Sequence, residues 1–422
     1  MGKTPGIKNT DNKKMKILVV CQYYKPEPFR ISDLCEEMVK RGHEVTVLTG
    51  VPNYPEGVIY DGYGKGRKKD EIINGVRVHR CFTIARRTGA VYRFLNYYSY
   101  AVSSSLNVLL NRCRPSDGGE YDVVFVNQLS PVMMAYAAML YKKKHNKKLV
   151  LYCMDLWPES LVAGGIKRDS VVFRMFHKVS EKIYKSCNRI LVTSRMFVDY
   201  IADQFGIDKR KITYLPQYAE CLFDEVEAKS ERKQTVDFMF AGNIGEMQSV
   251  STIIKAAEIV ENKTNGYAQR PFFHIVGSGT ALETLKKTVS ERGIHNVRFY
   301  GRKPVDDMPK YYSMADAMLV TLAADPVLCL TLPGKVQSYM AAGKAIIGAI
   351  DGEARIIIED AECGYAGKAD DADELAENIL KFMSLNEEER RRFGENARAY
   401  YQANFERDKY MKKIEYWFRK NC

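Results

Sequence analysis

The sequence predicts an α/β protein of two doubly wound domains in series, and three observations carry that reading. At 422 residues with 46% hydrophobic content, the chain is too long for one typical core and apolar enough for two. Short apolar strands alternate with amphipathic helices through residues 16–215, the pattern of a parallel sheet covered on both faces. Composition changes at 216–234, the alternation restarts, and three strands then end in glycine turns.

Taken in order, residues 1–14 are polar, lack the apolar centre of a secretory signal and read as a disordered leader. Strands are expected at 16–21 (KILVVC), 44–49 (EVTVLT), 76–81 after the turn Asn74-Gly75, 121–127 (YDVVFVN), 149–153 (LVLYC), 189–193 and 212–215. A helix at 31–41 closes on Gly42. The charged tract 225–233 marks a boundary, giving domains at 15–216 and 235–404. In the second, strand 236–241 ends in Gly242-Asn243-Ile244-Gly245, 272–276 in Gly277-Ser278-Gly279, and 297–300 in Gly301-Arg302. Helices at 249–261, 280–292 and 308–315 and a strand at 317–321 lead to 331–347 (TLPGKVQSYMAAGKAII). That run reads as a loop, a short helix, a glycine stop and a buried strand. Residues 386–420 read as two charged amphipathic helices.

No run approaches the roughly 18–20 apolar residues that span a bilayer. Ten cysteines are scattered without a CxxC pair or a Cys/His cluster, which argues against a zinc site and for a reducing compartment. The net charge of +12 is uneven: residues 1–115 hold 20 Lys and Arg against 10 Asp and Glu, and no acid falls between Glu71 and Asp117. Such a face suits an anionic partner, a membrane or a phosphorylated substrate. No nucleic-acid-binding module accompanies it, so nucleic acid is not expected. Segment 89–110 (GAVYRFLNYYSYAVSSSLNVLL) is aromatic, free of acids and flanked by Arg86, Arg87, Arg112 and Arg114. Both an interfacial helix and a buried helix with solvated arginines answer to that pattern.

Several residues have the chemistry of a site. A helix start at Gly334 presents unpaired N–H groups and Lys335 adds a cation, a combination that suits a diphosphate. Gly242 and Gly245 allow close backbone approach, and Asn243 offers a donor and an acceptor. Gly277-Ser278-Gly279 lacks the third glycine of a dinucleotide fingerprint. Arg302 follows a strand and could reach a phosphate or a base edge. Asp155 stands at the carboxyl end of a strand in MDLWPE, where acids and bases are placed. Helix capping by Asp155 and core packing of Trp157 are the plain alternatives. The acidic run 370–373 (DDAD) has a DxD-like spacing but directly precedes a helix, and reads as an N-cap rather than a metal site.

The stretches KILVVCQYYKPEP, KRGHEVTVLT, DLWP, FAGNIG, HIVGSG, VRFYGR and LPGKVQSYMAAGKAIIG, in this order, resemble a bacterial family 4 retaining glycosyltransferase with the GT-B fold. They are similar in particular to the WbuB-like enzymes of O-antigen and capsule synthesis. The resemblance runs from residue 15 onward. It implies two Rossmann-like domains facing a cleft, the first binding the acceptor and the second a nucleotide sugar, UDP-linked or another NDP-sugar. It also implies a last helix, near 405–422, that crosses back to the first domain. Gly242, Asn243, Gly245, Gln248 and Gly277 would lie near the diphosphate, and Arg302 and Lys303 near the base. Lys335 and the backbone around Leu332, Gly334 and Val336 would hold the diphosphate in place of a metal, so neither metal nor other cofactor is expected. Tyr23, Arg30, Asn53 and Trp157 would serve the acceptor, with Asp155 orienting its hydroxyl and Lys335 and Arg302 stabilising the charge on the departing diphosphate. The implied acceptor is a polyprenyl-diphosphate-linked or other glycan at the inner face of the cytoplasmic membrane, with the protein cytoplasmic and peripheral.

The chain departs from the wider family in three places. Leu330 and Ser338 stand where a pair of glutamates is usual, Gln248 where a lysine is usual, and Asp155 where a histidine is usual. The same architecture also serves sugar-nucleotide epimerases and hydrolases, and a non-catalytic nucleotide-sugar-binding homologue would look alike.

Overall fold

Short runs rich in Val, Ile and Leu become strands buried on both faces, as parallel sheets require. The computed structural model describes residues 13–87, 89–162, 165–226 and 234–422, so most of the expected leader lies outside the described residues. The chain divides into two units. One comprises Met1–Val192, Tyr200–Thr213 and Met411–Cys422, and the other Thr193–Asp199 and Tyr214–Tyr410. The division differs from the boundaries expected at 15–216 and 235–404. Thr193–Asp199 joins the second unit because Arg195 faces Glu353 at 3.9 Å and Asp360 at 3.7 Å.

The first unit runs β1 (Lys16–Val20), α1 (Ile31–Lys40), β2 (Glu44–Gly50), β3 (Asp70–Ile73), β4 (Val76–Cys81), α2 (Ala90–Leu109) and β5 (Val123–Gln128). It continues with α3 (Tyr136–His145), β6 (Lys148–Cys153), α4 (Val171–Ser186), β7 (Arg189–Val192), α5 (Met196–Phe205) and β8 (Ile212–Tyr214). The sheet order is β3-β4-β2-β1-β5-β6-β7-β8. Its direction of winding reverses between β1 and β5, where Ile17 pairs with Val123. Helix α1 buries Ile31, Leu34, Cys35 and Met38, a single stripe at helical spacing.

Two features depart from the sequence reading. β3 pairs antiparallel with β4 through Asn74 and Gly75, both at positive φ, so an edge hairpin joins the parallel sheet. α2 is neither wholly buried nor wholly superficial. Tyr100 donates to the carbonyls of Cys21 (3.1 Å) and Leu48 (2.8 Å), and Asn96 accepts from Gln22 (2.7 Å), fastening the helix across the ends of β1 and β2. Its other face leaves Val91, Phe94, Val102, Leu106 and Leu109 half or more exposed.

The second unit runs β9 (Thr235–Ala241), α6 (Val250–Lys263), β10 (Arg270–Val276), α7 (Leu282–Glu291), β11 (Val297–Gly301), α8 (Met308–Met314) and β12 (Ala317–Thr321). Then follow α9 (Gly334–Ala341), β13 (Ala345–Ala349), α10 (Glu353–Asp360), β14 (Gly364–Gly367), α11 (Ala372–Met383), α12 (Glu387–Asn404) and α13 (Arg407–Lys420). Helix α10 and strand β14 were not anticipated. The order is β11-β10-β9-β12-β13-β14, all parallel, with the switch point between β9 and β12. Alternate residues of β12 feed two cores: Ala317 and Leu319 join Phe238, Ile253 and Phe382, while Met318 and Val320 join Tyr339, Met340 and Tyr401.

The last helix is shared between the units. Its residues through Tyr410 group with the second and Met411–Cys422 with the first. There Glu415 accepts from Arg41 (3.2 Å) and pairs with His43 (3.1 Å), and Phe418 meets Phe125 edge-on at 5.1 Å.

Candidate active site

In the second unit, the turns after β9, β10 and β11 are stitched together. Gly242 N–H donates to Val276 (2.9 Å), Ile244 N–H to Ser278 (2.9 Å), and Gly277 N–H to Gly301 (3.0 Å). Only glycine fits at 277, because a Cβ there would fall 1.8 Å from the Gly242 carbonyl oxygen. The loop after β12 closes the switch point: Thr321 Oγ1 donates to the Gln248 carbonyl (2.5 Å) and Ala323 N–H to that of Met247 (3.0 Å). Open-sheet folds bind ligands at such a point. Gly242 and Asn243 are exposed there, and Asn243 Nδ2 donates to Gln248 Oε1 at 2.9 Å.

Lys335, in the first turn of α9, extends back to this turn. Its Nζ lies 3.1 Å from where a Cβ on Gly242 would stand and 3.8 Å from the centre of the Phe240 ring. The residue as a whole is partly exposed, but Nζ is enclosed and makes no hydrogen bond among the described residues. Burial alone brings its pKa down to about 7. The ring face offers a cation some compensation. Tyr339, on the same helix, donates to the Ala241 carbonyl and accepts from its N–H, both at 3.1 Å, so α9 and the end of β9 are held as one piece.

The other residues expected at this site divide. Leu332 and Val336 are core side chains, and the Val336 N–H donates to Pro333 (3.0 Å), so it is not an open donor for a diphosphate. Gly334 is exposed. Ser338, at one position of the missing glutamate pair, donates back to the Gly334 carbonyl within its own helix. Arg302 is exposed just past β11, and Lys303 lies 5.9 Å from the Tyr311 ring centre. The acidic run is structural: Asp371 caps α11 by accepting from Glu374 N–H (2.9 Å), and Asp370 accepts from Ser249 Oγ and from Ala324 N–H (2.7 Å). Among the described residues no group of three His, Cys, Asp or Glu side chains is arranged to hold a metal.

In the first unit, Asp155 follows β6 and accepts from Ser130 N–H (3.0 Å) and Ser130 Oγ (3.2 Å). Burial raises its pKa, while those two bonds favour the carboxylate. Trp157 is buried edge-on to Phe176, so it is core and not an acceptor surface; its Nε1 donates to Ser130 Oγ (2.9 Å) and holds the serine that holds Asp155. Asn53 is also buried, its amide donating to the Val51 carbonyl and accepting from Arg86 N–H, both at 2.8 Å. Tyr23 is buried, stacked on Phe29 with ring centres 5.0 Å apart. Arg30 is half-buried at the start of α1.

Sequence reasoning missed Glu27. Its carboxylate accepts from the N–H groups of Asn53 and Tyr54 (2.8 Å each) and Tyr24 (3.2 Å), tying the loop after β1 to the loop after β2. Burial nevertheless pushes its pKa up to about 7. An acid between two prolines in the loop after the first strand was the available signal.

Comparison with known proteins agrees with this arrangement. Residues 30–217 match the family described as Glycosyltransferase Family 4, and 223–400 match Glycosyl transferases group 1. The chain is 26% identical over 350 residues to the colanic acid biosynthesis glycosyl transferase WcaI of Escherichia coli, covering 78% of this chain and 82% of that protein. It is 26% identical over 290 residues to the glycosyltransferase WbjE of Pseudomonas aeruginosa, covering 66% and 69%. The crystal structure of HepE from Anabaena with UDP and glucose superposes with a TM-score of 0.65 at 13% identity, covering 96% of this chain and 99% of that one. With residues 30–217 matching one glycosyltransferase family and 223–400 the other, on two parallel-sheet α/β units, the chain is a glycosyltransferase with the GT-B fold.

Proposed function

We propose that the protein transfers a sugar from a UDP-sugar or another NDP-sugar to a lipid-linked sugar acceptor in surface polysaccharide synthesis, with retention of configuration and without a metal. The observation that carries the donor half is Lys335. An enclosed ammonium with no hydrogen-bond acceptor among the described residues, set against an exposed glycine turn at a switch point, is suited to a diphosphate. As the glycosidic bond breaks, the departing diphosphate gains charge, and positioned cations and helix N–H groups act where that charge develops. Arg302 and Lys303, past the third strand end, are assigned to the nucleotide. HepE, whose structure contains UDP and glucose, supports a UDP-sugar, and WcaI, with colanic acid biosynthesis in its name, supports a polysaccharide product.

On the acceptor side, Asp155 orients the attacking hydroxyl, with Ser130 and Trp157 as positioning residues. The exposed apolar face of α2 supports a peripheral seat at the inner face of the cytoplasmic membrane. No helix among the described residues is long and apolar enough to cross it.

The test is a thermal-shift screen of nucleotide sugars, followed by transfer assays of the hit with a polyprenyl-diphosphate-linked acceptor. Lys335→Ala is expected to lower turnover by well over about tenfold. Unchanged turnover in that variant contradicts the assignment.

A further inference from the structure

We propose that Arg86, walled by Tyr23, Tyr54 and Tyr97, is an anion-binding subsite of the first unit that takes a phosphoryl group of the acceptor. The inference rests on the reading of this unit as the acceptor side.

The backbone of Arg86 is held on both sides. Its N–H donates to Asn53 Oδ1 (2.8 Å), and its carbonyl packs on Gly57, where a Cβ would approach to 2.3 Å. The guanidinium is therefore delivered to a defined place at the carboxyl end of β4. Its carbon lies 5.7 Å from the Tyr97 ring centre and 6.0 Å from that of Tyr54. Burial works against its charge, and the groups that work for it are the phenols of Tyr23, Tyr97 and Tyr54. Among the described residues no carboxylate forms an ion pair with it.

That is unusual for a partly buried arginine, since buried charges are ordinarily paired. Arg80, on β4 itself, shows the ordinary case. It meets Glu71 at 2.6 Å and also donates to the carbonyls of Lys25 (2.5 Å) and Gly50 (3.3 Å). Arg86 has been given aromatic walls where Arg80 has an acid.

Two further facts point to a ligand. The Tyr23 hydroxyl is buried in this cluster; the Arg86 guanidinium acts on it by hydrogen bonding, and among the described residues its O–H proton meets no acceptor, so a donor is held beside the guanidinium. Arg93 also acts on Tyr97, as does the Asp155 carboxylate, so the cluster adjoins the residue assigned to the acceptor hydroxyl. A planar fork with adjacent phenols matches the oxygens of a phosphoryl group. The chain continues directly into the first turn of α2, with Val91, Tyr92, Phe94 and Leu95 exposed. An anionic head with an apolar tail fits this order of groups better than a free anion does.

The test measures binding of farnesyl diphosphate to the full chain by titration calorimetry, with saturating UDP present to occupy the donor side. Wild type is expected to bind it, and Arg86→Gln to bind at least about tenfold more weakly. The UDP-induced thermal shift of the variant should match wild type, which shows that it is folded. Inorganic pyrophosphate and farnesol separate the sources: pyrophosphate binding as tightly as farnesyl diphosphate makes the head group the whole of the recognition, and tighter farnesyl diphosphate adds the chain. Farnesol binding as tightly as farnesyl diphosphate, or an Arg86→Gln variant binding like wild type, overturns the proposal. So does a wild type that binds no diphosphate under these conditions. None of these readouts needs sugar transfer, so failure of the transferase assays is a separate result.

Discussion

Lys335 and Glu27 are both brought to a pKa of about 7, from opposite directions and by the same cause, burial of the charged form. For Lys335 no charged side chain contributes, so a bound anion would be its first charged partner. The ammonium predominates below about pH 7 and the amine above it. UDP affinity is therefore expected to fall as pH rises from about 7 to 9, with proton uptake on binding, measured by calorimetry in buffers of different ionisation enthalpy. Lys335→Met should remove the pH slope; a slope that persists in that variant contradicts the role. For Glu27 the linkage is to stability. Its folded pKa lies above the ordinary carboxylate value, so the native state binds the extra proton, and its contribution weakens as pH rises through about 4.5 to 7. Lys335 was legible in the sequence because a lysine at a helix start after Pro-Gly is a local pattern. Glu27 and Arg86 were not, since their partners are the Asn53, Tyr54 and Tyr97 of distant loops and helices.

At the scale of elements, long periodic segments were readable and marginal ones were not. β3 is four residues with both faces partly exposed, and β14 (GYAG) has glycine at both ends, so neither carries the apolar run that marks a buried strand. Both lie at sheet edges, where pairing with one neighbour suffices. Segment 89–110 left two readings open because composition does not say which face meets the sheet. The fold divides them: Tyr100, Ala101, Ser104 and Val108 face inward, while Val102 (56% exposed) and Leu106 (50%) face out. If that outer face seats on lipid, Val102→Asp with Leu106→Asp should cut binding to anionic vesicles at least about tenfold in a sedimentation assay. The thermal midpoint should hardly move, because neither side chain is core. Equal vesicle binding by the double variant, or none by wild type, contradicts the membrane seat.

For the whole molecule, the second unit ends at Tyr410 within α13 and the first unit takes Met411–Cys422. Those last residues are structural for the first unit. Phe418 is 1% exposed against Phe125, and Glu415 joins Arg41 and His43. Phe418→Ala is expected to cost about 3–5 kcal/mol in urea denaturation. A loss under about 1 kcal/mol would show that the C-terminal helix adds little to that unit. The sequence by itself determined the two α/β units, the strand-end glycines and the cation beside them. Each follows from local periodicity, from positions that only glycine can occupy, or from a helix start. Tertiary structure decided the rest. It placed Lys335 against Gly242, gave Asp155 its Ser130 and Trp157 support, put Trp157, Asn53 and Val336 inside the protein, and left Arg86 among phenols with no acid paired to it among the described residues. These depend on which distant segments the parallel sheets bring to the same strand ends, and no local pattern encodes that adjacency. Lys335 is thus a local pattern that the fold sets beside Gly242, while Asp155 and Arg86 take their surroundings from distant segments.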